Sequence, residues 1–152
     1  MKLAEALSKR AQLTEKVSQL KIRLNDCMKV QEGDTPPELP DEVITDLDRT
    51  LEELRSLIYR INVTNTLTEV DGLTITSLLA QRDVQSMKVK TLGEALKVLT
   101  EREDRYNRNE IRFVRTVDVK EFRRMYDRNA SDLRKLDLTI QAVGWTTELI
   151  EK

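Results

Sequence analysis

Histidine is absent from this 152-residue chain, and cysteine occurs once, at position 27. Hydrolysis by a serine or cysteine with a histidine base is therefore excluded within one chain. So are the usual zinc ligand sets, and Cys27 has no partner for an intrachain disulfide. Four glycines and three prolines are too few for the many turns of an all-β fold. Two Phe, three Tyr and one Trp leave the core to Leu, Ile and Val. No apolar run approaches the roughly 20 residues needed to cross a bilayer. Glu5, Lys9 and Arg10 interrupt the stretch where a signal peptide needs an apolar centre. The expectation is a soluble, cytoplasmic protein with no membrane partner. A formal net charge of −1 removes the bulk attraction to phosphate shown by general nucleic-acid binders, which disfavours that partner class. Nothing in the composition calls for a cofactor or a metal.

What remains is helix-forming: 39% apolar and 35% charged residues, a balance typical of long helices and coiled coils. The length suits a single helical domain over 1–152. Leu3, Ala6, Arg10, Leu13, Val17, Leu20, Leu24 and Cys27 recur at spacings of three and four, which predicts a first helix from about Lys2 to about Val30. Gly33 and the prolines at 36, 37 and 40 stop it, and Thr35 with Glu38 has capping-box spacing. Ile44, Leu47, Leu51, Leu54, Ile58, Ile61 and Asn65 predict a second helix from about Asp41 to about Thr68, antiparallel to the first. Asp71-Gly72 breaks it. A third helix follows from about Thr76 to about Arg105, capped by Thr74 or Thr76, with Leu78, Leu79, Val84, Met87, Leu92, Leu96 and Leu99 on its apolar face.

From Asn107 to Val117 the helical period fails, and the β-branched and aromatic run of 111–117 reads as an extended arm. Asp118 and Glu121 then cap a fourth helix carrying Val119, Phe122, Met125, Tyr126, Leu133, Leu136, Ile140 and Val143, ending near Gly144. The predicted fold class is all-α, with long antiparallel hairpins forming a four-helix bundle and one short extended arm before the last helix. Helices this long show more apolar stripe than one bundle covers, so a homo-oligomer is expected.

Polar residues at apolar positions are the candidates for chemistry. Asn65 at a seam position is ordinarily a register device. Alternatively, Arg60, Asn62 and Asn65 meet Arg82 and Asp83 in a polar pocket for a small ligand or phosphate of unknown identity. Arg10 interrupts the first seam, where an arginine ordinarily snorkels or pairs with a carboxylate of another chain. Acidic residues cluster between Glu32 and Glu53, and basic residues between Arg105 and Arg128. Arg108, Arg112 and Arg115 beside Tyr106 and Phe113 allow a nucleic-acid contact, but pairing with the acidic block of another subunit accounts for both clusters. Arg10, Arg112, Phe113, Arg115 and Trp145 are thus candidate oligomer contacts. The magnesium-binding Glu-Glu-x-x-Glu pattern of helical pyrophosphatases fails here, because Glu52-Glu53 is followed by Ser56.

The segments Leu57-Ile58-Tyr59-Arg60-Ile61-Asn62-Val63-Thr64-Asn65, Leu79-Ala80-Gln81-Arg82-Asp83-Val84, the run from Ile111 to Val119, and Trp145-Thr146-Thr147-Glu148-Leu149 occur in this order along the chain. Together they resemble a septicolysin-like family of small bacterial helical proteins. Gly144 stands where that family's pattern has asparagine. The resemblance implies an all-helical fold and no particular activity. The lytic function suggested by the label does not fit a chain without a membrane-length segment.

Overall fold

The structure is a computed structural model that describes residues 1–101 and 112–151. Its elements are α1 (Leu3–Asp26), α2 (Pro40–Leu67), β1 (Glu69–Val70), β2 (Leu73–Thr74), α3 (Ile75–Thr100) and α4 (Val119–Thr146). They form two compact units: Met1–Ile75 with Ala142–Lys152, and Thr76–Gln141.

In the first unit, α1 carries the predicted seam. Leu3, Ala6, Leu13, Leu20 and Cys27 are buried, Val17 and Leu24 are half-buried, and Arg10 is exposed at its seam position. The helix ends earlier than the stripe suggests. Cys27 caps it by donating its N–H to the Leu24 carbonyl at 3.1 Å, and Met28 and Val30 lie beyond it, exposed. Thr35 and Glu38 do not cap α2. Pro40 opens that helix at its first turn, where a missing N–H costs nothing. Glu38 instead accepts a two-point pair from Arg23, fastening the loop to α1. Lys9 and Glu53, 2.5 Å apart, form a second bridge across the antiparallel hairpin.

The register of α2 differs from the sequence expectation by one residue in half of its seam. Leu47, Leu54 and Ile61 face inward as predicted. Between them the inward positions are Val43, Thr50, Leu57 and Thr64, exposed by 0, 2, 4 and 0%. Ile44, Leu51 and Ile58 lie outside, exposed by 41, 43 and 38%. Two threonines enter the seam without stranding a polar group, because their hydroxyls donate to the carbonyls of Asp46 (2.8 Å) and Arg60 (2.7 Å) one turn back. The more apolar series is left outside, and the series that contains the two threonines faces inward. Leu20, Cys27 and Val43, with Leu24 and Leu47, form the buried cluster at the loop end of the hairpin.

Asp71-Gly72 does more than end a helix. Both residues have positive φ, 50° and 80°, the geometry of a tight two-residue hairpin turn. Glu69 pairs with Thr74 and Val70 with Leu73, and the Ile75 N–H donates to the Thr68 carbonyl at 3.1 Å.

The second unit is an antiparallel pairing of α3 with α4. Leu78 is buried, and Arg82, Gln85, Val89, Leu92, Leu96 and Leu99 are half-buried along one face of α3. Val84 and Met87, expected on that face, lie on the far side and are 66 and 69% exposed. Apolar residues are spread around this helix, so hydropathy alone did not fix its inner stripe. The predicted cap of α4 is present, with Asp118 Oδ1 accepting the Glu121 N–H at 2.9 Å. Its inner face carries the expected Phe122, Met125, Tyr126, Leu133, Leu136 and Ile140, together with Asn129. Gly93 lies beneath Tyr126, where an added Cβ would sit 3.2 Å from the ring.

The helix expected to reach Arg105 ends at Thr100. The described part of the expected extended arm, Arg112–Val117, forms no strand. Phe113 and Val114 are 81 and 83% exposed, and without a neighbouring strand β-propensity has no ladder to join. Residues 107–111 of that arm lie outside the described residues.

Replacing Leu57 with alanine is expected to cost about 2–5 kcal/mol, and Ile58→Ala less than about 1.5 kcal/mol. Chemical denaturation of the two neighbouring variants checks the register. Gly144→Ala places a methyl at ordinary contact distance, 3.7 Å, from the Ala4 side chain. It is expected to stabilise by about 0.5–1 kcal/mol, read as a raised melting temperature.

Candidate functional site

The segment after α4 is held by the start of α1 and the end of α2. Leu3 N–H donates to the Thr147 carbonyl (2.9 Å), and Leu149 N–H donates to the Met1 carbonyl (2.8 Å). Lys2 Nζ lies 2.6 Å from Glu148 Oε1, and the terminal amine of Met1 lies 3.2 Å from Oε2 of the same carboxylate. On the α2 side, the buried Thr64 hydroxyl accepts the Ile150 N–H at 2.9 Å while donating to its own helix. Arg60 donates to the Ile150 carbonyl at 3.4 Å and pairs with Glu151 at 2.6 Å. Buried Leu149 supplies the apolar plug of this junction. Each polar group used here therefore finds a partner, as burial requires.

Arg60 is thus engaged by the last residues of the chain. Asn62 is exposed and Asn65 half-buried on the final turns of α2, and the seam position expected for Asn65 belongs to Thr64. Arg82 and Asp83 belong to the second unit, where the guanidinium pairs with its neighbour's carboxylate at 2.8 Å. None of these five residues lines either of two open grooves found among the described residues of that unit. One groove, of about 770 Å³, runs beside Asp118, Phe122 and Met125; the other, of about 530 Å³, runs beside Ala80, Gln85 and Leu136. The polar layer of the second unit is one that the sequence reading did not single out. Gln85 Nε2 donates to the Asn129 carbonyl (3.0 Å) and side-chain oxygen (3.1 Å), tying α3 to α4. Two half-buried amides on facing stripes were its available signal.

Of the expected oligomer contacts, Arg10, Arg112 and Phe113 are exposed, and Trp145 is 65% exposed on the last turn of α4. Arg115 is exposed and donates to the Leu99 carbonyl at 3.1 Å. Arg105, Tyr106 and Arg108 lie outside the described residues. The surface feature missed from sequence is the outer stripe of α2, where Ile44, Leu51 and Ile58 repeat every seventh residue with Asp48, Arg55 and Asn62 alongside. Among the described residues there is no group of three or more His, Cys, Asp or Glu side chains placed to hold a metal ion. Nor is any described helix long and apolar enough to cross a membrane.

Residues 10–149 match the model of a family of unknown function (DUF6847). No curated protein matches the chain. The chain is similar to a functionally unknown conserved protein from Corynebacterium diphtheriae, known from a crystal structure. The two share 41% identity over 99% of each chain, with a TM-score of 0.92. The all-α architecture, with four long helices among the described residues, is common to both.

Hydrogen bonds from Lys2 and the terminal amine hold the Glu148 carboxyl below the usual carboxylate range. A carboxyl depressed in the folded state adds stability above its unfolded value, about 4.3, and that stability is lost as pH falls through the folded value. Thermal melts are therefore expected to weaken from about pH 5 downward, and Glu148→Gln to shrink that dependence. Thr64→Val keeps the shape and removes the acceptor for Ile150, an expected cost of about 1–3 kcal/mol by denaturant titration, whereas Thr64→Ser retains the acceptor.

Proposed function

The chain belongs to this family of unknown function, represented in bacteria, and on that premise we propose that it is a structural or interaction module that self-assembles into a homo-oligomer. The observation that carries this reading is the division of α2 into two stripes. The seam with α1 takes Val43, Thr50, Leu57 and Thr64, while the bulkier Ile44, Leu51 and Ile58 stay at the surface. Scattered surface leucines need no explanation, but a heptad-spaced row on one helix has the pattern of a second helix–helix seam. Folding the monomer still leaves 41, 43 and 38% of these three residues in water. Association is what removes them from water.

Light scattering of the purified chain is expected to give a weight-average mass above 17.7 kDa that rises with concentration. A mass fixed at the monomer value up to several hundred micromolar overturns the reading.

A further inference from the structure

We propose that the outer stripe of α2 pairs antiparallel with the same stripe of a second copy, about a twofold axis passing beside Leu51. The inference rests on the self-association reading and specifies the surface, the partner and the direction of pairing.

Ile44 and Ile58 each lie seven residues from Leu51, so the row reads the same from either end. Antiparallel pairing about Leu51 places Ile44 of each copy against Ile58 of the other and Leu51 against its twin. At 1.5 Å per residue the contact runs about 21 Å. A C2 interface must be self-complementary in this way.

Charge selects the direction. Asp48 and Arg55 flank the row on the same side of the helix, about one turn to either side of Leu51. Parallel pairing would set this flank of each copy against the Leu47 and Leu54 flank of the other, leaving Asp48 and Arg55 without a partner across the contact. It would also bring the acidic first turns, with Asp41 and Glu42, together. Antiparallel pairing puts Asp48 of each copy beside Arg55 of the other and opposes the two helix dipoles. Among the described residues Asp48 makes no ion pair. Arg55 already holds Glu52 at 2.8 Å, and its guanidinium retains donors for a second carboxylate. The opposite flank of the row is Leu47 and Leu54, the inner seam itself, so the contact grades into the monomer's own core.

A contact of about 21 Å along one helix per copy covers less area than a standard interface of about 1,600 Å², so the dimer is expected to dissociate on dilution through the micromolar range.

Variants with one added cysteine, made with Cys27 replaced by alanine, and a short bis-maleimide test the axis. Leu51→Cys is expected to crosslink to itself. Ile44→Cys and Ile58→Cys are each expected to stay uncrosslinked alone and to crosslink when mixed. In sedimentation, Asp48→Arg and Arg55→Asp are each expected to raise the dissociation constant about tenfold, and the double exchange to restore it. Circular dichroism at dilute concentration, where each variant is monomeric, verifies that it is folded. Crosslinking of Ile44→Cys to itself, or a dimer that forms while Leu51→Cys fails to crosslink, overturns this pairing and leaves self-association standing. An oligomer indifferent to all these substitutions, including one seated on a different surface, does the same. A monomer at every concentration overturns both.

Discussion

The α1–α2 seam is the constraint on which the first unit depends. Its inward positions on α2 alternate between large aliphatic residues and a series containing two threonines, and those threonines are as buried as the valine and leucine beside them. They are tolerated because each hydroxyl is satisfied by a carbonyl of its own helix. A buried hydroxyl without such a partner would cost more than the packing returns. Thr64 also serves a neighbour, accepting a backbone N–H from residue 150. One choice of register thus sets the helix pairing, the docking of the C-terminal segment and the identity of the residues left at the surface.

Charge around this unit fastens ends and loops more than it forms a site. Arg23 with Glu38 secures the connection between the helices, Lys9 with Glu53 spans them, and Lys2 with Glu148 and Arg60 with Glu151 hold the tail. Most of these groups are well exposed, where an isolated pair adds little to stability. Their contribution lies in geometry. They select which loop and which tail lie over a given stretch of apolar seam, and Glu38 is drawn to Arg23 instead of capping α2.

Much of the architecture was legible in the sequence, and the failures share a cause. The α1 stripe, the Asp118–Glu121 cap and the inner face of α4 were readable because only one apolar series or one cap pattern occurs there. On α2 two series compete at neighbouring positions, and hydropathy favours Ile44, Leu51 and Ile58. Which series turns inward is settled by packing between α1 and α2, and the sequence of one helix does not encode that by itself. The same limit applies on α3, where Val84 and Met87 are as apolar as the residues that pack. Arg60 stood out as a polar residue in an apolar run, yet its partners Ile150 and Glu151 are separated from it by 90 residues or more. Spacing along a helix carries no information about such a contact. The Asp71-Gly72 pair held the hairpin signal, but its strands are two residues each, too short to show alternation.

The return of residues 142–151 to the first unit also orders events during synthesis. α1 and α2 emerge early and can pair locally, a low-cost step because their contacts close a short loop. Gly144 reaches Ala4, and Leu149 reaches Met1, only after the whole second hairpin has been made. Until then the first-made helix pair presents an unfinished apolar end, and its completion waits on residues 142–151. Folding of this chain is therefore a matter of timing as well as of pattern.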